Sequence, residues 1–467
     1  MEPTGGDDIT QVVCLETDLQ DGQMKEVEVA HQKILLVRNE GRFSAVGGLC
    51  THFRAPLIKG TLTGNRVRCP WHGACFNTTT GDIEEFPGLD SLPTFKVKVE
   101  NGKVYVTANK KAQTKRVKEM SCRKTGVCHT VLLIGGGPAS LQCAETLRQN
   151  NYGGRIIIVT KDKYPPLIKT TLSKAMNIEV EKIFLRPDDF LQKHGIEVWT
   201  EKEVVSVNTK KKIATLYDGT SQHYDQLLIA TGARARAMQC PGAELENIKM
   251  LEEKNVKFYM SNGVASIRGE NRKVKEVVLQ NGEVLQADVV IVGIGVIPNS
   301  DFLKGSTVQI DSRNAIVVDK FMRTNVTDVF AAGDVVSFPL SLSGHKKANI
   351  GHWQLAQAHG RIAALNMLRK QTEVNTVPYF WTVLLGQSIR YTGYGEGYTD
   401  IVFKGNVDER KFLALYIKDE EVVAAASMNF DPAVSKVAEI IATGRKVKKS
   451  QAESEDLSWL ENMHLQC

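Results

Sequence analysis

Two short stretches of the sequence each carry one cysteine and one histidine, residue types that bind transition metals. The first pair is Cys50 and His52, and the second pair is Cys69 and His72. Two thiolates and two imidazoles form the ligand set of a Rieske-type [2Fe–2S] centre, in which two Cys hold one iron and two His hold the other. These four residues are therefore the predicted metal ligands of a one-electron redox site.

A Cys2His2 zinc site and four unrelated residues are the alternatives. Zinc fingers usually pair their histidines in an H-x3–5-H segment, which these two stretches lack. Neighbouring residues favour the iron–sulfur interpretation. Pro56 and Pro70 stiffen the two loops, while Gly60, Gly73 and Gly81 permit tight turns around a buried inorganic group.

The stretch Cys69-Pro-Trp-His-Gly-Ala-Cys-Phe-Asn77 resembles Rieske ferredoxins and ferredoxin-like domains. Rieske proteins of cytochrome complexes carry an extra disulfide between their two loops, whereas this chain has Ala55 and Trp71 at the corresponding positions. The resemblance therefore implies a ferredoxin-type centre of lower potential. Arg54 stands where relatives usually carry Gly.

The composition is that of a globular protein with several domains. The 467 residues allow two to four domains, and 42% apolar with 24% charged residues is ordinary. No apolar run reaches the ~18 residues of a membrane span. Met1–Thr10 shows no secretory or transit signal, and the nine Cys do not form a disulfide framework. These features predict reduced thiols and an intracellular protein, cytoplasmic or mitochondrion-associated.

The elements that must hold the two Cys/His loops are short β-strands. Residues 10–107 predict a small all-β domain, with strands at Lys33–Arg38, Phe43–Val46, Phe95–Val99 and Val104–Val106. Residues 108–129 are strongly basic. A solvated interdomain linker explains them better than a targeting or nucleic-acid patch, and the net charge of +6 gives no reason to expect nucleic-acid binding.

A Gly-rich turn then opens a different kind of domain. The strand Val131–Ile134 runs into Gly135, Gly137 and Ser140, followed by a helix to about Gln149 and a strand Arg155–Val159. This is the βαβ pattern of dinucleotide-binding folds. Gly135 allows the tight turn, Gly137 lets the backbone approach a pyrophosphate, and Ser140 is small enough for close helix–strand packing. Asp162, just past the second strand, is the candidate ribose ligand.

Two later turns carry further small residues, Thr231-Gly232 and Gly333-Asp334, each after an apolar strand. With them the chain resembles the two-dinucleotide flavoproteins, and the resemblance implies that Asp334 binds the ribitol of FAD. Lys169 matches the position of an Arg in these proteins, and Leu167 replaces a Tyr. Trp353 matches a region near the flavin ring, although a core aromatic is an equal alternative. The lack of a C-x4-C or C-x-x-C motif argues against a disulfide reductase.

From about Val377 the chain resembles the C-terminal sheet-and-helix domain of the same flavoproteins. The whole arrangement resembles the Rieske-bearing branch of the apoptosis-inducing-factor family, which implies an all-β Rieske domain, an α/β Rossmann-like FAD-binding domain and an α+β C-terminal domain. The C-terminal domains often carry oligomer contacts, so a homodimer is one expectation. The predicted segments are 10–107 (Rieske), 108–129 (linker), 130–248 and 293–370 (FAD-binding), 249–292 (NAD(P)H-domain remnant) and 371–462 (C-terminal domain).

The family pattern breaks after Pro241–Asn247, where a second Gly-rich βαβ unit for NAD(P)H should follow. Residues 240–300 contain no second G-x-G-x-x-G, so about one Rossmann half is missing. The predicted remnant strands are Val256–Met260, Val274–Leu279 and Asp288–Val292, and the last of these would expose an apolar edge. A splice variant, an incorrect gene model and a stable natural truncation would each give this pattern.

These observations predict an FAD-dependent oxidoreductase that passes electrons from NAD(P)H through FAD to the cluster and on to an unknown acceptor. The NAD(P)H step is expected to be impaired in this chain. The alternatives are a redox-sensing or pro-apoptotic interaction protein whose cofactors are structural, and a cofactor-free remnant.

Overall fold

The computed structural model describes residues 7–111, 113–172, 175, 177–236, 259, 261–384 and 386–461. Along the chain it shows a β-rich region, an α/β region and an α+β region. This succession confirms the predicted fold class. Among the described residues, no helix is long and apolar enough to cross a membrane.

The N-terminal region contains two antiparallel sheets. In strands such as Lys103–Asn109 the apolar residues alternate so that one face is buried. In spatial order, the larger sheet is Asp8–Leu15, Lys103–Asn109, Thr94–Glu100, Arg42–Gly47, Gln32–Asn39 and Gln23–Val29. The smaller sheet is Thr61–Thr63, Arg66–Arg68, Cys75–Asn77 and Ile83–Glu85. The four strands predicted in this region are confirmed.

The basic segment that follows is mostly exposed, but it contacts the regions on both sides. Arg116 and Lys118 form ion pairs with Asp82 of the N-terminal region. Ser121 N donates to the carbonyl of Arg148 in the α/β region, at 3.0 Å. The segment therefore follows the surface between the two regions.

The α/β region is built on a five-stranded parallel sheet whose inner strands are buried on both faces, the pattern expected of such sheets. In spatial order its strands are Ile196–Trp199, Arg155–Val159, Thr130–Ile134, Gln226–Ile229 and Val329–Ala331. Smaller sheets contain Val204–Asn208, Ile213–Leu216 and Ser221–His223, and Ile316–Val317, Val336–Leu340 and Lys346–Ala348. The helices are Pro138–Gln149, Lys169–Leu172, Asp188–Lys193 and Trp353–Met367.

The helices Pro138–Gln149 and Trp353–Met367 pack closely against each other. A Cβ atom at Gly360 would lie 2.1 Å from the carbonyl oxygen of Ala139, so only glycine allows this approach. The contact places the middle of the second helix against the first turn of the first helix, next to the Gly-rich turn.

The C-terminal region is a five-stranded antiparallel sheet with three short helices. In spatial order its strands are Tyr379–Leu384, Gln387–Gly393, Glu421–Met428, Lys411–Lys418 and Asp400–Asn406. The helices are Ala433–Ala442, Lys449–Glu453 and Ser458–Glu461. This arrangement confirms the sheet-and-helix domain that the sequence predicts from about Val377.

The chain leaves the α/β region and returns to it through two paired strands, Ala233–Ala235 and Val296–Pro298, which run antiparallel. In the sequence between these two strands, the described residues form a three-stranded antiparallel sheet. Its strands are Val264–Glu270, Lys273–Leu279 and Val284–Gln286. The predicted strand at Val274–Leu279 is confirmed. The predicted strand at Val256–Met260, apart from Tyr259, lies outside the described residues.

The predicted strand at Asp288–Val292 is wrong. These residues have no strand pairing, and the side chains of Val289 and Ile291 are 42% and 45% exposed. An apolar run of this kind becomes a buried strand only when parallel neighbours supply hydrogen bonds and cover both faces. Because the described part of the chain supplies no such neighbours here, the run stays irregular and exposed.

Candidate functional site

The two Cys/His loops of the N-terminal region repeat one backbone pattern. Arg54 N donates to the carbonyl of Cys50 at 2.9 Å, and Gly73 N donates to the carbonyl of Cys69 at 3.3 Å. Arg54 and Gly73 both have left-handed backbones, with φ of 56° and 75°. Arg54 thus adopts the conformation that glycine favours, and the first loop keeps the geometry of the second.

The fold brings the four predicted metal ligands together. Cys50 and Cys69 are buried and hydrogen-bonded through their sulfurs. The rings of His52 and His72 lie 4.9 Å apart between centroids. Within the described ranges, no three His, Cys, Asp or Glu side chains are placed to hold a single metal ion. Two pairs of ligands suit a cluster in which each iron takes two protein ligands.

The protonation of these side chains is set by burial and by the loop backbone. The hydrogen bond with Cys69 raises the pKa of the Cys50 thiol, and burial raises it further. Burial opposes ionisation of Cys69, but the hydrogen bond from Cys50 and two backbone N–H groups lower its pKa. Burial also lowers the pKa of His52 to about 4 and that of His72 to about 3. A thiolate and neutral imidazoles are the forms that bind metal.

One further observation fits a cluster at these loops. Nδ1 of His52 is buried and has no hydrogen-bond partner among the described groups. A buried polar atom without a partner is costly, and a metal ion would satisfy it. The donor set and this unpaired nitrogen therefore both suit a [2Fe–2S] cluster held by the four residues.

A cavity of about 630 Å³ opens along the carboxyl ends of the parallel strands in the α/β region. Ligands of doubly wound sheets bind at this edge. Except for Ser140, all the residues predicted to hold the flavin line the cavity. They are Gly135, Gly137, Asp162, Lys169, Thr231, Gly232, Gly333, Asp334 and Trp353.

The Gly-rich turn has the shape that a diphosphate requires. Gly135 has φ of 119°, and a Cβ there would lie 2.1 Å from the carbonyl oxygen of Ala230. A Cβ at Gly137 would meet nothing within 4 Å, so the backbone is open to the cavity at the start of the helix Pro138–Gln149. A helix N-terminus offers unpaired N–H groups to an anion. Ser140 is fully buried in this helix and contributes packing.

The carboxylates at the cavity have different surroundings. Burial raises the pKa of Asp334, so a hydroxyl that donates to its carboxylate would stabilise it there. Asp162 is partly exposed and lies 3.0 Å from Nζ of Lys169. Trp353 forms part of the cavity wall and begins the helix Trp353–Met367. The surroundings of Asp334 fit the polyol of FAD, those of Asp162 fit the ribose, and those of Trp353 fit the flavin ring.

Sequence reasoning did not single out three polar residues of the cavity wall. Arg234 binds Asp301 at 2.7 Å and the side-chain oxygen of Asn299 at 3.0 Å, and all three line the cavity. Arg234 and Asn299 belong to the two chain segments that pair antiparallel. The sequence signal was the segment Val296–Asn299, which resembles the family's return to the FAD-binding domain.

Several contacts hold the N-terminal region against the α/β region and the C-terminal region. Nε2 of Gln357 donates to the carbonyl of Gly88 at 2.7 Å. Arg68 forms a buried ion pair with Glu439, which lies in the helix Ala433–Ala442 of the C-terminal region. The Cys/His loops therefore sit against both the flavoprotein region and the C-terminal region.

Three family descriptions match the chain. Rieske [2Fe-2S] domain matches residues 9–96, and Pyridine nucleotide-disulphide oxidoreductase matches residues 129–250 and 246–360. Reductase C-terminal matches residues 379–459. These matches support a [2Fe–2S] cluster, FAD and NAD(P)H as the cofactors of the family, as the sequence predicted.

Two relatives match different shares of the chain. Apoptosis-inducing factor 3 of Homo sapiens is 42% identical over 539 aligned residues, which cover 98% of this chain and 89% of the relative. The alignment is longer than the 467 residues of the chain, so this relative carries residues that the chain lacks. Rubredoxin-NAD(+) reductase of Pseudomonas putida is 25% identical, covering 64% of this chain and 95% of the relative.

Solved reductases share the fold. The covalent putidaredoxin reductase–putidaredoxin complex matches with a TM-score of 0.66 and 21% identity, over 72% of this chain and 98% of that chain. The ferredoxin reductase of the CYP199A2 system from Rhodopseudomonas palustris matches with a TM-score of 0.64 and 24% identity, over 72% of this chain and all of that chain.

Proposed function

The chain belongs to the family of apoptosis-inducing factor 3, and we propose that it passes electrons from FAD to its own Rieske cluster and on to an acceptor. It is an oxidoreductase of the pyridine nucleotide-disulphide type with a Rieske domain. The observation that carries the proposal is that the candidate sites of both cofactors lie in one chain and are joined by direct contacts. Bound FAD supplies two-electron chemistry and can release electrons singly, while a [2Fe–2S] cluster carries one at a time.

The residues around the two sites have distinct roles in this proposal. The helix N-terminus at Gly137 binds the diphosphate, and Asp334 accepts a hydrogen bond from the ribitol. Cys50 and Cys69 hold one iron, and His52 and His72 hold the other. The low pKa values of the two imidazoles keep them neutral and available as ligands over the physiological pH range.

The acceptor is proposed to approach beside the two histidines. Phe53 is 57% exposed and lies 4.4 Å from the His52 ring, and Trp71 is 37% exposed beside His72. Exposed aromatic residues are common in protein interfaces. This surface supports a small one-electron carrier protein as the partner. Homodimerisation through the C-terminal region stays a prediction, and sedimentation equilibrium measures it.

Reduction by NADH or NADPH is proposed to be slow in this chain. The exposed, irregular run at Asp288–Val292 and the break of the family match at residues 246–250 support the loss of one Rossmann half. If the helix N-terminus of that half is missing, several charge-assisted hydrogen bonds to the nicotinamide dinucleotide are lost, at ~1.5–3 kcal/mol each. Each ~1.4 kcal/mol is a tenfold loss, so micromolar affinity becomes millimolar or weaker.

Anaerobic stopped-flow absorbance tests this proposal. We expect dithionite to bleach flavin and cluster, because it needs no binding site, and micromolar NADH to leave the flavin oxidised over seconds. Apoptosis-inducing factor 3 of Homo sapiens, measured in parallel, is the control. Rapid bleaching of this chain by micromolar NADH would contradict the proposed loss. Stable occupancy of both cofactors with no transfer between them would instead favour the interaction protein with structural cofactors.

A further inference from the structure

Two aromatic side chains fill the space between the flavin cavity and the cluster ligands. His352 immediately precedes Trp353, which lines the cavity. The ring of Trp381 lies 4.9 Å from that of His352 at an interplanar angle of 86°. On its other side, Trp381 lies 5.0 Å from His72 and 6.0 Å from His52. Trp381 therefore contacts both imidazole ligands and the neighbour of the flavin-site tryptophan.

The strand that carries Trp381 is fixed to the second Cys/His loop. Tyr379 lies two residues earlier, on the same face of the strand, and is buried. Its hydroxyl lies 2.9 Å from Oγ of Ser435, which donates to the carbonyl of Cys69 at 3.1 Å. The Tyr379 ring covers Gly73 so closely that a Cβ there would lie 2.6 Å from it. The position of Trp381 at the cluster loop is therefore set by buried contacts.

The same strand is fixed to the helix that begins at the flavin cavity. Oε1 of Gln354 accepts a hydrogen bond from Tyr379 N at 3.0 Å, and its Nε2 donates to the carbonyl of Val377 at 3.2 Å. Gln354 is fully buried. Arg361, on the same helix, donates to the carbonyl of Glu84 in the N-terminal region at 2.9 Å. Cavity, strand and cluster loops thus form one packed unit.

From this arrangement we propose that Trp381, packed against His352, couples the flavin cavity to the cluster for single-electron transfer. This inference rests on the proposed function. In the transfer the flavin loses one electron and the cluster gains one, and no bond forms or breaks. Electronic coupling falls steeply with distance and is stronger through packed atoms than across a gap. The ring of Trp381 supplies the packed atoms between His352 and the imidazole of His72.

The test compares the rates of intramolecular transfer in cofactor-loaded variants. Flash photoreduction of FAD, with EDTA as the electron donor, starts the reaction, and the visible absorbance of the cluster follows it. We expect Trp381→Leu to slow the transfer roughly tenfold or more, and Trp381→Phe to slow it less, because the ring is retained. Phe403→Leu is the matched control, since Phe403 is 51% exposed on another strand of the same sheet. Its rate should equal that of the wild type.

Measurements that do not depend on transfer keep the result interpretable. Iron content, FAD content, the EPR spectrum and both midpoint potentials should be unchanged in Trp381→Leu. Subtracting the emission spectrum of Trp381→Phe from that of the wild type gives the fluorescence of Trp381 alone. We expect loading of the cluster to quench this fluorescence, because the Trp381 ring contacts both histidine ligands. An unquenched Trp381, or an unchanged transfer rate in Trp381→Leu with intact cofactors, would overturn the inference alone. Failure of the wild type to transfer any electron would overturn the proposed function.

Discussion

The charge of Glu439 is expected to hold the Rieske domain on the C-terminal helix. Glu439 is 1% exposed and forms an ion pair with Arg68, which is fully buried. Arg68 also donates to the carbonyl of Gly73 and to Glu85, both at 2.9 Å. Burial opposes the charge of Arg68, but Glu85 and Glu439 outweigh it and raise its pKa well above the usual value. Arg68 therefore stays charged and needs its carboxylates.

The substitution Glu439→Gln removes one charge and keeps the shape. Loss of one partner from a buried ion pair costs ~3–5 kcal/mol, because the other charge stays buried without compensation. Since Arg68 keeps Glu85 and a backbone carbonyl, we expect the lower end, about 3 kcal/mol. The free energy of unfolding is measured by urea titration of the cluster-loaded protein, with the visible circular dichroism of the cluster as the signal.

Two further variants make this experiment decisive. Glu421→Gln breaks the ion pair with Lys448 at the surface and should change stability little, because water screens that pair. The double variant Arg68→Met, Glu439→Leu should recover much of the loss, since apolar residues of similar size remove both charges of the pair and Glu85 keeps its ion pair with Arg66 at 2.6 Å. The reasoning is refuted if Glu439→Gln costs no more than Glu421→Gln, or if the double variant is less stable than the single one.

Three other outcomes are expected. Cys50→Ser and His72→Ala should each abolish the EPR signal of the reduced cluster, because one iron loses a ligand; tight zinc without iron in the wild type would contradict this. Asp334→Ala should release FAD during gel filtration, because an unpaired ribitol hydroxyl weakens FAD binding by ~1–3 kcal/mol. Unchanged FAD content would count against Asp334 as the ribitol ligand. Burial lowers the pKa of His359 to about 3. Because unfolded His titrates near ~6.5, only the unfolded chain binds this proton between about pH 6.5 and about pH 3, so His359 lowers stability by about 1.4 kcal/mol per pH unit over that range as the pH falls. His359→Asn should make that drop shallower in unfolding curves taken at successive pH values.

Local sequence patterns predicted much of the fold and the composition of both sites. The pairs at Cys50 and Cys69 and the turn at Gly135 consist of residues close in sequence, and their chemistry restricts the residue types at each position. A cluster ligand or a turn glycine can be recognised without knowing its distant neighbours. Alternating apolar residues likewise predicted strands such as Phe95–Val99, because a repeat of two places the apolar side chains on one face of a strand.

The strand wrongly predicted at Asp288–Val292 shows that a local sequence pattern does not by itself determine whether a strand forms. Its apolar residues match a buried parallel strand, but strand formation depends on neighbours that supply hydrogen bonds and cover. Such neighbours come from distant parts of the chain, and a deletion elsewhere removes them without altering the run itself. The sequence therefore predicted the exposure of an apolar segment correctly and its secondary structure wrongly.

Only the tertiary structure decided how the two redox sites meet. Arg68 and Glu439 are 371 residues apart in sequence, and nothing local to either marks it as the other's partner. Trp381 resembles any core aromatic in the sequence, and its contacts with His352 and His72 exist because three separate regions pack together. The sequence alone identified the candidate ligands of iron and flavin, since that chemistry belongs to residue types and short spacings. Their mutual arrangement depends on packing between distant segments, which the chain specifies only by folding.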